Sequence, residues 1–127
     1  MLSLIESPAS ALLSLALDAA TLRQQAISHN IANAGQDGFR PLTVSFEDQL
    51  AGARDALSVG RAVMPADVAN VAPTLALAAP GPGGNTAVSI DMQLAQLSEN
   101  ALHHQALLKA LNRHYALLGV AINEGKH

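Results

Sequence analysis

The strongest pattern in the chain lies near its C-terminus. Leu94, Leu97, Ala101, His104, Leu108, Leu111, Tyr115, Leu118 and Ile122 follow one another at alternating steps of three and four. Side chains at those steps share one side of an α-helix, so the run predicts a helix carrying a heptad seam. Leu102, Ala106, Leu107, Ala110, Leu117 and Ala121 flank the seam and widen its apolar surface. Ser89 can cap the first turn, and Asp91 places a negative charge against the positive end of the helix dipole. Gly125 stands where such a helix would stop.

The N-terminal part repeats this logic. Pro8 to Ala34 reads as a helix, with Ser7 as N-cap, Pro8 in the first turn and Gly35 as the stop. Leu12, Leu15, Ala19, Leu22 and Ala26 form one face, and Leu13, Leu17, Ala20, Ile27 and Ile31 a neighbouring one. An apolar surface this wide exceeds what one partner helix covers. A turn follows, because Gly38 in Asp37-Gly38 accepts positive φ and Pro41 blocks an easy return to helix. Leu42 to Leu50 is expected to run extended and then briefly helical.

From Ala51 to Thr86 the period disappears. Gly52, Gly60, Pro65, Pro73 and the run Pro80-Gly81-Pro82-Gly83-Gly84 disfavour regular elements. The expectation is an exposed irregular excursion with short strands near Ala62–Met64 and Thr74–Ala78. The chain thus divides into an N-terminal helix and turn (1–50), the excursion (51–86) and a C-terminal heptad helix (87–127) that forms one structural unit with 1–50. The fold expected is mainly α, its terminal helices pairing as a coiled-coil-like hairpin. Such a hairpin leaves much of each helix uncovered. The roughly 25 cal/mol per Å² available from burial would then be realised only against other chains. Periodicity by itself therefore predicts assembly.

Composition sharpens this picture. Half the residues are hydrophobic but only 2% are aromatic, so Ala and Leu, the best helix formers, must build the contacts. A formal charge of −3, with the basic residues scattered, provides no field for nucleic acid. The absence of Cys removes disulfide, thiolate and zinc–sulfur chemistry. Glu6 precedes the first apolar run and the first basic side chain is Arg23, so no cleaved secretory leader is expected. Asp18, Pro65, Pro73 and Pro80 keep every apolar stretch below the roughly 18 residues of a membrane span, and no direct membrane insertion is expected.

No candidate chemistry emerges. His29, His103, His104, His114 and His127 lack the i, i+4 pairing with a nearby carboxylate that a metal site on a helix uses. The Gly-rich run lacks the Lys-Ser/Thr of a phosphate loop, and no nucleophile–base order is present. Neither catalytic activity nor a metal or cofactor is expected. Asn30 and Asn33 are the polar residues of interest: three apart near a helix end, they either bond to the turn at Gly35–Phe39, bond to a neighbouring subunit, or cap the helix.

Ser28-x-Asn30-Ile31-Ala32-Asn33, followed by Gly38-Phe39, resembles the N-terminal signature of flagellar rod and hook proteins. That signature reads Asn-Ile-Ala-Asn, a short turn usually containing Thr-Pro-Gly, then an aromatic residue; here Gln36-Asp37 replaces Thr-Pro. At the other end, Gly84-Asn85-Thr86, Val88-x-Ile90-Asp91, Leu94-Ala95-x-Leu97-x-Glu99-Asn100 and Gln105-Ala106-Leu107 resemble the start of the C-terminal helix in proximal rod proteins. Family members often carry Glu, Met and Tyr where this chain has Gln93, Leu94 and His104. The two matches lie one at each end, in the family's order, and together span about half the chain; the middle matches nothing.

The resemblance implies a structural subunit of the flagellar basal-body rod. It would be exported by the flagellar type III apparatus and would polymerise within the periplasm-spanning rod. Its partners would be itself, other rod subunits, the rod-base adaptor and the membrane-ring protein. Asn30, Asn33, Gly38 and Phe39 would lock the turn, and Ile31 of the signature and the seam from Leu94 to Ile122 would belong to the subunit interface. Two other readings share the helical pattern: a subunit of another type III secretion or axial filament structure, and a soluble helical adaptor or export chaperone.

Overall fold

The computed structural model describes residues 7–125; Glu6 and His127 lie outside them. Two long helices, α1 (Pro8–Ala32) and α4 (Ile90–Glu124), bracket a small ordered middle. The middle contains strand β1 (Leu42–Ser45), a 3₁₀ turn (Glu47–Leu50), helices α2 (Ala51–Ser58) and α3 (Pro65–Val68), strand β2 (Thr74–Leu77) and a second 3₁₀ turn (Pro82–Gly84). The fold is therefore mainly helical, with long terminal helices and one small sheet.

The caps of the long helices follow local chemistry. Ser7 Oγ accepts from Ser10 N–H at 3.1 Å, and Ser89 Oγ from Met92 N–H at 3.3 Å. α1 ends two residues before the expected Ala34. Asn33 becomes its C-cap, donating both its backbone N–H (3.1 Å) and its side-chain amide (2.8 Å) to the His29 carbonyl. α4 gives way to Gly125, whose N–H donates to Ala121 O at 3.0 Å.

β1 and β2 pair antiparallel, Leu42 opposite Leu77 and Ser45 opposite Thr74. Two side-chain amides hold this sheet in place by the same device. Asn30 accepts from Leu42 N–H (2.8 Å) and donates to Leu42 C=O (2.9 Å). Gln49 accepts from Ala72 N–H (3.0 Å) and donates to Ala72 C=O (2.9 Å). Each amide occupies the place of a neighbouring strand at one residue, satisfying a donor and an acceptor at once.

The core lies between α1 and the middle. Ala19 and Ala26 are buried against Val44, Phe46, Ala53, Val68 and Val71, with Leu12, Leu15, Ala16, Leu22, Leu42, Leu50 and Val63 packed around them. This corrects the expectation that 51–86 is irregular: the segment forms short elements and sends Ala53, Val68 and Val71 into the core, while most of its residues remain exposed. α2 and α3 pack on each other, and Ala53 and Val68 join the cluster on the first face of α1 while Ala56 is buried outside it. Pro65 begins α3 instead of breaking structure, sitting at a position where its missing N–H costs nothing. Of the two expected strands, β2 forms. Ala62–Met64 does not, and Val63 from that stretch packs on the core instead.

The structure also corrects the expectation that other chains must cover both faces of α1. Its first face packs on the middle and its second, through Ala20 and Ile27, turns to α4. Ala20 is 1% exposed, and its small size lets the Asn100 side chain reach the Ala20 carbonyl at 2.8 Å.

Candidate functional site

The rotation of α4 about its own axis decides which residues it offers to other molecules. The positions turned toward α1 are Gln93, Leu97, Asn100, His104, Leu107, Leu111, His114 and Leu118, all buried or half-buried. Four of the nine predicted seam residues, Leu97, His104, Leu111 and Leu118, are among them. The other five are not. Leu94, Ala101, Leu108, Tyr115 and Ile122 are exposed, and the residue preceding each of the first four takes the inner place.

Polar anchors account for this rotation. Gln93 Oε1 accepts from Asn30 Nδ2 at 3.2 Å near the C-terminal end of α1. Asn100 Nδ2 donates to Ala20 C=O in the middle. His114 Nε2 lies 3.1 Å from Ser7 Oγ at the N-cap. All three occupy the same heptad position, seven or fourteen residues apart, so they hold one edge of α4 against the full length of α1. Asn100 is 8% exposed and Asn30 only 2%, so leaving either amide unpaired would be costly. Helical periodicity registers only apolar spacing, so Gln93 and Asn100 stood out solely through the family resemblance.

The consequence is an apolar stripe facing outward. Leu94 is 48% exposed, Leu108 44%, Tyr115 43% and Ile122 43%, with Ile90 and Ala101 exposed on the same side. None of these residues carries a charge. At 1.5 Å per residue, the span from Leu94 to Ile122 is about 42 Å long. Beyond His114, which sits level with Ser7, α4 continues for ten residues to Glu124, with Leu117 and Val120 exposed. Exposed apolar side chains thus recur once per heptad along the outer side of α4, with Ser98, Gln105 and Asn112 exposed between them.

The signature residues at the other end of α1 are placed as follows. Asn30 clamps β1 and meets Gln93, while Asn33 caps the helix. Ile31 is half-buried. Gly38 adopts φ +74°, a conformation that disfavours any side chain. Phe39 follows, half-buried, its ring centroid 5.5 Å from that of His29. Of the readings open for the two asparagines, Asn33 takes the capping one. Asn30 reaches past the turn to the strand beyond it.

A groove of about 440 Å³ lies where α1, β1 and α4 meet, floored by Ala26, Ile27, Leu42 and Val44. Its rim carries the ion pair Arg23–Glu47, together with Glu99 and His103. Among the described residues, no three His, Cys, Asp or Glu side chains gather to hold a metal ion, and no helix is long and apolar enough to cross a membrane. Protein-family models scanned against the chain give no match, and neither does a search of curated proteins.

Proposed function

We propose that the chain is a non-enzymatic axial subunit that polymerises through its terminal helices. In particular, we propose a subunit of the bacterial flagellar basal-body rod, of the proximal type that FlgB represents. The observation that carries the reading is the uncharged stripe Leu94–Ala101–Leu108–Tyr115–Ile122, left uncovered while polar residues of α4 face inward. A second helix laid along that stripe would complete coiled-coil-like packing between subunits. The motif resemblance points to the kind of assembly, and the Asn30–Gln93 hydrogen bond ties its N-terminal half to the helix that carries its C-terminal half, at a position where the chain departs from the family.

Head-to-tail contacts that do not close into a ring generate a helical filament, which can carry torque and enclose an export channel. The other rod proteins, the rod-base adaptor and the membrane-ring protein would be its neighbours, and the type III apparatus its route out. The test is a density map of purified basal bodies from cells in which only this chain carries a tag. Tag density within the proximal rod supports the reading. Normal rods and motility in a strain lacking the gene would overturn it.

A further inference from the structure

β1 and β2 form a sheet of only two strands, whose two edges differ. The edge at β1 is closed at Leu42 by Asn30. The edge at β2 is open: Thr74, Leu75, Ala76 and Leu77 are all exposed, Leu75 at 48% and Leu77 at 53%. Natural sheets guard such edges with charged side chains. β2 itself carries none, since no Asp, Glu, Lys or Arg occurs between Asp67 and Asp91; Pro73 stands before it and the Arg40 guanidinium donates to Ala78 C=O just past its end, leaving Leu75 and Leu77 unguarded.

The direction of the open hydrogen-bonding groups follows from the ladder. Ala78 N–H donates to Pro41 C=O at 2.9 Å, so that opposed pair is a bonded one. Bonded pairs alternate, so Thr43–Ala76 and Ser45–Thr74 are bonded too, whereas Leu75 and Leu77 turn their N–H and C=O groups outward. We infer that this edge pairs with the β2 edge of a second copy, antiparallel, about a two-fold axis through Ala76, giving a four-stranded sheet β1-β2-β2-β1.

That register brings Leu75 of each copy opposite Leu77 of the other. The outward donors of one strand then meet the outward acceptors of its partner at both positions. The two leucine pairs share one face of the new sheet and shield it, and no like charges face each other across the axis. The strand is four residues long, so the pair is weak and sensitive to dilution. It does not depend on the proposed rod function. In a polar filament all subunits point the same way, so a two-fold pair belongs to the chain outside the filament.

The chain has no Cys, which makes disulfide capture a clean test. In this register Ala76 faces Ala76 of the partner as a non-bonded pair, with Cα atoms about 4.5 Å apart, inside disulfide range. The full chain carrying Ala76→Cys should form covalent dimers under mild oxidation at least roughly tenfold faster than the chain carrying Ser58→Cys, an exposed control position on α2. Adding Leu75→Lys, half exposed and outside the core, should abolish the difference while the far-ultraviolet circular dichroism spectrum stays unchanged. Equal rates at the two positions, no dimer at all, or capture unaffected by Leu75→Lys would each overturn the inference.

Discussion

At the scale of single residues, side-chain amides fix the sheet that carries the buried Phe46 into the core. Asn30 stands in for a strand at Leu42, and its second amide hydrogen reaches Gln93. Asn30→Ala would leave the Leu42 N–H and C=O without partners, at a cost of about 2–4 kcal/mol; urea denaturation should show the midpoint falling with the slope unchanged. Asp67 offers a pH readout. Hydrogen bonds from the Arg61 guanidinium and then from Met64 N–H hold its carboxyl below the ordinary 3.8. A depressed folded pKa contributes stability that is present above the unfolded value and lost as pH falls through the folded one. The Asp67 carboxyl carbon should therefore titrate below 3.8 by NMR in the wild-type chain, and Arg61→Ala should return it toward that value.

At the scale of elements, α4 has one apolar edge turned to α1 and one exposed, and under the proposed assembly substitutions on them would separate folding from polymerisation. Leu111 is half-buried against α1, whereas Leu108 faces outward at 44% exposure. Leu111→Asp should cost the isolated chain about 2–3 kcal/mol, because a charge is pressed against an apolar helix. Leu108→Asp should change folding stability by no more than about 0.5 kcal/mol, yet block polymerisation. Thermal melts of the two variants beside motility of complemented cells would check this; normal motility with Leu108→Asp would count against the outer stripe as an interface. How legible these elements were in the sequence depended on what marks them. Ser7, Ser89 and the three-four spacing marked both long helices, because capping and helical period act over one or two turns. The middle was not legible because Pro65 and the glycines look like breakers locally, while Ala53, Val68 and Val71 gain their order from a face of α1 more than twenty residues away.

At the scale of the molecule, the chain exposes 8529 Å², against about 6,400 Å² for a compact monomer of its mass. Among the described residues, five of the ten buried hydrophobic ones are alanines, each of which removes little area from water. The isolated chain should therefore be weakly stable and gain order by association. Its apparent melting temperature should rise with concentration, and sedimentation should show association that Leu108→Asp reduces. A sharp, concentration-independent melt from a strict monomer would contradict this.

The sequence by itself determined the two long helices, their caps, the glycine turn at Gly38 and the wide apolar surface, because period, capping and φ preference are local properties. It also placed Asn30 and Asn33 among the residues that matter. Tertiary structure decided which way those surfaces turn. A helix with apolar residues on several edges can face its partner in more than one rotation, and spacing alone does not choose between them. Gln93, Asn100 and His114 make the choice by finding Asn30, Ala20 and Ser7, since a buried amide without a partner costs more than an exposed leucine. That rotation turns the polar edge of α4 inward and leaves the Leu94–Ile122 stripe for other molecules.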